Sequence, residues 1–107
     1  MFKGLLDKAV NWKADRDVKR GLVLVRDEWL AFKDQKVWPD EDEIVQFVGP
    51  FISPMVRRLS EDSIWRDRPL PVKLDLVFAV ILADAKTPIG EMKLRAMREA
   101  LGQMTDA

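Results

Sequence analysis

The sequence predicts an all-α fold: one small domain over residues 1–107, a bundle of about five helices with proline-marked boundaries. Three observations predict it. Apolar residues recur at three- and four-residue spacings through the first 36 positions, which builds a helix face. Pro39, Pro50, Pro54, Pro69, Pro71 and Pro88 punctuate the rest of the chain. Each is an expected boundary, because proline lacks a donor and disfavours helical geometry in the residue before it. The one long apolar run, Leu76 to Ala83, has no candidate partner strands elsewhere. A lone strand would leave its backbone unsatisfied, so the run is read as a buried helix.

The first helical stretch carries Phe2, Leu5, Leu6, Val10 and Trp12 on one face, flanked by Lys3, Lys8 and Lys13. That is the pattern of a helix packed on its own core, and equally of one lying at a membrane surface or on a partner. A second stripe follows: Val18, Leu22, Val25, Trp29 and Phe32, in alternating steps of four and three. It is the candidate self-association interface, or else the internal core face. The two stripes do not line up, so a bend is expected near residues 13–17, with Asp15 or Asp17 as a cap. Gly21 costs this helix about 1 kcal/mol relative to Ala.

Trp38-Pro39-Asp40 reads as a stop followed by a cap. The acids Asp40, Glu41, Asp42 and Glu43 then sit at the positive end of a helix dipole. Ile44, Val45, Phe47 and Val48 supply its apolar face, and Gly49-Pro50 is expected to end or kink it. Ser53-Pro54 reads as a new cap with proline at the first helical position, opening a short helix to Leu59. Ser60 to Arg68 reads as a turn-rich segment anchored by Trp65. Pro71 opens the buried helix through Ala85. Thr87-Pro88 caps the last helix, expected to stop at Gly102.

Composition narrows the chemistry. The chain has 18 basic and 18 acidic residues, no net charge, and neither Cys, His nor Tyr. Disulfides, Cys/His zinc sites and His-dependent nucleophiles are therefore excluded within one chain. Ser53, Ser60 and Ser63 lie in no motif with a partner at a meaningful spacing, and no Gly-rich phosphate loop is present. The chain is expected not to be an enzyme and to need no cofactor or metal. Lys13, Arg16, Lys19 and Arg20 make a basic patch diluted by Asp15 and Asp17, so nucleic acid is not an expected partner. The Asp40–Glu43 run reads as an acidic helix start, because adjacent helical residues point apart and only Asp40 and Glu43 could converge. Lys3, Asp7 and Lys8 interrupt any signal-peptide core, and the longest apolar run is well short of a membrane span. A cytoplasmic location is expected.

Residues 76–102 carry one further pattern. The apolar run ending in Asp84 leads through a short loop to Glu91 and the helix through Leu101. This resembles the helix–Asp-loop–Glu–helix unit of TerB-like (tellurite-resistance) helical domains. The resemblance implies an all-helical bundle associated with metal-ion and stress responses, with Asp84 and Glu91 at its acidic positions. Ala85 stands where that family usually has Gly, and the Lys86–Gly90 loop lacks the family's acids, so no metal site is assigned. The function expected from the sequence is a small protein–protein interaction module acting as a homodimer or on another protein. The alternative is a peripheral membrane or stress-response domain using the first helix.

Overall fold

The computed structural model describes residues 12–105, with side chains described for 16–104. Four α-helices hold most of the described residues, and no strand occurs among them. Helix α1 spans Trp12–Asp34. A 3-10 turn at Glu41–Glu43 leads into α2, Ile44–Glu61. Helices α3 and α4 span Leu70–Ala83 and Pro88–Thr105.

Helix α3 is the centre of the bundle and packs against each of the other three. Lys73, Leu74, Leu76, Val77, Phe78, Val80 and Ile81 are all buried. A helix apolar on nearly every side belongs in the interior, which answers the choice between helix and strand for this run. Around it close Val25 and Trp29 from α1, Val48, Phe51, Met55 and Leu59 from α2, and Leu94 from α4. A second aromatic layer joins them: Trp29 stacks on Phe32 at 5.6 Å between ring centroids and meets Phe51 edge-on at 5.0 Å. Such pairs add about 0.5–1.5 kcal/mol each beyond area burial.

Among the described residues there are four helices, against about five expected for the whole chain, and the differences seen there have local causes. Helix α1 runs through residues 13–17 without a break. Asp17 does not cap a new helix; its buried carboxylate accepts from Arg68 Nη2 at 2.7 Å. Helix α2 likewise runs through Pro50 and Pro54. Both prolines are exposed, as is Gln46. The carbonyls of Gln46 and Pro50, which lose their donors to the prolines, therefore lie on the water-facing side and are solvated. Gly49-Pro50 does not end the helix, and the expected new start at Ser53 is absent. Helix α4 passes Gly102 to reach Thr105, since no described glycine adopts the left-handed conformation that would end it. Thr87 does cap α4: its Oγ1 accepts from the Gly90 amide at 3.0 Å.

Gly21 has a packing reason. A Cβ there would lie 2.5 Å from Leu76 Cδ2 and 2.8 Å from the Trp65 ring. Its missing side chain is what lets α1 approach α3 and Trp65 this closely.

Candidate functional site

The stripe Val18, Leu22, Val25, Trp29 and Phe32 faces inward. Val25 and Trp29 are fully buried within the chain, and Val18, Leu22 and Phe32 pack half-buried against the same core. Val25 and Trp29 are thus closed to a second chain, which corrects their assignment to a subunit seam. Of the other candidate face, Phe2, Leu5, Leu6 and Val10 lie outside the described residues, as does the side chain of Trp12.

Three polar constellations sit around the core. The first joins α1 to the end of α3. Asp84 accepts from Trp29 Nε1 at 2.7 Å and from the Lys33 ammonium. Burial pushes the Asp84 carboxyl up, but the bonds from Lys33 and Trp29 outweigh it and hold the group below its usual value. Glu91 faces Arg95 instead, at 3.7 Å. The two carboxylates singled out by the resemblance therefore engage different partners, and no cluster of three metal-ligating side chains occurs among the described residues.

The second constellation fixes the 62–69 loop onto α1. Arg20 makes a two-pronged contact with Asp62, at 2.7 and 3.2 Å. That contact keeps the Asp62 carboxyl below its usual value against the opposing effect of burial. The Ile64 and Trp65 amides also donate to Asp62, and Trp65 Nε1 donates to the Asp17 carbonyl at 2.9 Å. Arg20, part of the sequence's basic patch, is held by this pair.

The third lies at the end of α2. Lys73 is buried, and its ammonium donates to Ser60 Oγ and to the Arg66 carbonyl, both at 2.9 Å. Ser60 in turn donates to the Val56 carbonyl at 2.9 Å. The lysine is the donor and the serine proton is directed at a backbone oxygen, so the pair holds a helix C-terminus rather than activating a nucleophile. Positive charge there complements the dipole. Sequence reasoning missed this pair, because thirteen residues separate its members and no spacing rule links them.

The acidic run takes a different role from a carboxylate site. Glu41 accepts from Thr87 Oγ1 at 2.8 Å, and Asp42 pairs with Lys93 at 3.0 Å. These bonds pin the 3-10 turn to the start of α4. Beside them Trp38, Ile44 and Lys86 line a depression of about 420 Å3, with Lys86 5.3 Å over the Trp38 ring. Two smaller grooves follow the helices. One, about 360 Å3, runs between α1 and α2 past Phe32, Phe51 and Met55 and is flanked by the Glu28–Arg58 pair. The other, about 310 Å3, runs between α1 and α3 along Leu22, Leu30, Ala79 and Ala83.

Exposed large apolar side chains occur on more than one element: Ile89 and Met92 on α4, and two on the outer face of α1. Val23 is 53% and Leu30 50% exposed, on the side of the helix away from the core. No described helix is long and apolar enough to cross a membrane. No family model matches the chain, and no curated protein or solved structure matches it either.

Proposed function

We propose that this chain is a non-enzymatic helical interaction module that works by self-association. The observation that carries the reading is the outer face of α1. It holds Val23 and Leu30 half-exposed one heptad apart, while Val25 and Trp29 on the inner face of the same helix are buried in the core. Apolar side chains aligned on a solvent face favour a partner surface over a merely solvated one. The composition supports a binding role over a catalytic one: there is no His or Cys, and the buried Asp17 and Lys73 are engaged in bonds that tie α1 and α3 to the 62–69 loop.

Light scattering behind size exclusion tests this across a wide concentration range. The expected mass rises from 12.4 kDa toward twice that value as concentration increases. A mass fixed at the monomer throughout overturns the reading. Flotation of the chain with anionic liposomes, run in parallel, would replace self-association with a membrane role.

A further inference from the structure

Three helices surround α3, and one of its sides stays open. Helix α2 packs on both α1 and α4, while no comparable packing joins α1 to α4. The side of α3 between those two carries Val72, Asp75, Ala79 and Ala83, in steps of three, four and four. At about 100° per residue this strip lies opposite Val77 and Ile81, which are fully buried. Contacts mark its two edges. On the α1 edge, Ala79 and Ala83 line a groove with Leu22 and Leu30. On the α4 edge, Arg98 donates to Asp75 at 2.7 Å and to the Pro71 carbonyl at 3.1 Å. Val72 and Ala79 are half-buried and Ala83 is exposed, and Asp75 is the strip's one charge. A helix apolar on nearly every side belongs under cover on every side.

We propose that the lower part of this open side, around Val72 of α3 and Val18 of α1, is the docking surface for the chain's own residues 1–11, folded back alongside α1. Those residues lie outside the described ones; what names them as the occupant is their sequence and the point where they join the bundle. Helices α1 and α3 run side by side in one direction: Gly21 sits against Leu76 and Trp29 bonds Asp84, each pair 55 residues apart. Helix α1 therefore begins, at Trp12, about 7 Å below the level of Val72. A straight continuation of α1 would carry residues 1–11 past the end of the bundle. It would also turn Phe2, Leu5, Leu6 and Val10 about 150° away from the Val25–Trp29 side, into water. Turned back through residues 9–11, residues 1–8 would rise about 12 Å as a helix, past Val72 to the level of Asp75. Helices joined by so short a connection pack as antiparallel neighbours. Phe2 and Leu5 then come within one turn of Val72, and the apolar stripe of the segment meets the one side of α3 that no described helix covers. This seat leaves Val23 and Leu30, on the outer face of α1, open for the association proposed above.

The chain has no cysteine of its own, so introduced thiols report without background. In the full chain carrying L5C and V72C, a short bifunctional maleimide should link the two thiols within one molecule. The rate should be about tenfold above that of L5C with S53C, whose second thiol is on the exposed side of α2. In the single-cysteine V72C chain, Leu5→Asp with Leu6→Asp should release the segment and raise thiol labelling about threefold or more, leaving labelling of S53C unchanged. An unchanged helical circular dichroism signal checks that each variant folds. Equal linking rates for the two pairs overturn the seat, as does V72C labelling that ignores the paired aspartates. Linked product found only as a two-chain species overturns it and moves the segment onto a second copy. Flotation of the wild-type chain with anionic vesicles, abolished by the paired aspartates, overturns it in favour of lipid. The readout does not depend on self-association: a chain monomeric at every concentration should still give the intrachain link.

Discussion

Gly21 and Gly49 both lie inside helices, yet substitution should affect stability very differently. A Cβ at Gly49 meets nothing within 4 Å beyond its chain neighbours. Gly49→Ala should therefore change stability by less than about 1 kcal/mol, because the gain in helix propensity is opposed by the contact of the new Cβ with the Pro50 ring. At Gly21 the added carbon collides with Leu76 and Trp65, both buried and unable to swing aside. Gly21→Ala should lower stability by about 1–3 kcal/mol, as overpacking does. Urea titration of both variants against the wild type checks the pair. A similar contrast separates the two faces of α1. Trp29→Ala removes a buried ring and its hydrogen bond to Asp84, and should cost about 3–5 kcal/mol. Leu30→Ala, on the exposed face, should stay within about 0.5 kcal/mol in the monomer while reducing association.

At the scale of elements, α2 holds an avoidable cost. An interior proline costs a helix about 3 kcal/mol, and α2 has two. Their i, i+4 spacing places both on the solvent face, where water offsets part of that cost. Restoring one donor should help: Pro54→Ala is expected to raise the thermal midpoint by several degrees. If Ser53-Pro54 instead began an independent helix, the same substitution would remove a favourable first-turn proline and lower it. Differential scanning calorimetry separates the two. The loops are held by side chains more than by their own turns. Asp62 ties the 62–69 loop to α1, and Glu41 and Asp42 tie the 3-10 turn to α4.

For the whole molecule, those ties imply acid sensitivity. Asp62 and Asp84 have folded pKa values below their unfolded ones. As pH falls, the unfolded chain takes up protons first. Their stabilisation is thus complete above the ordinary carboxylate value near 4 and is lost as pH falls through the lower folded values. Unfolding free energy should be nearly level from pH 7 to about 5 and decline below 4, and Asp62→Asn should flatten that decline. Denaturant midpoints measured from pH 7 to 2.5 provide the check. A decline as steep in both Asp62→Asn and Asp84→Asn as in wild type would assign acid sensitivity to other groups.

The sequence by itself determined the helices and their inward faces. The three- and four-residue spacings put Val25 and Trp29 on one side of α1, and the unbroken Leu76–Ala83 run placed α3 in the interior. Thr87-Pro88 marked a helix start that the Gly90 bond bears out. These signals are local, carried by residues within a turn or two of each other, so a linear reading captures them. Tertiary structure alone decided the rest. Whether Pro50 and Pro54 end a helix depended on which side of α2 faces water. Whether the Val18–Phe32 stripe met a second chain or its own core depended on α2 and α3 closing over it. Asp84 with Trp29 and Lys33, Asp17 with Arg68, and Lys73 with Ser60 are joined across 55, 51, 51 and 13 residues respectively. No periodicity links residues so far apart. They meet because packing α1 and α2 on α3 brings them together, and burial then makes each bond costly to leave unmade.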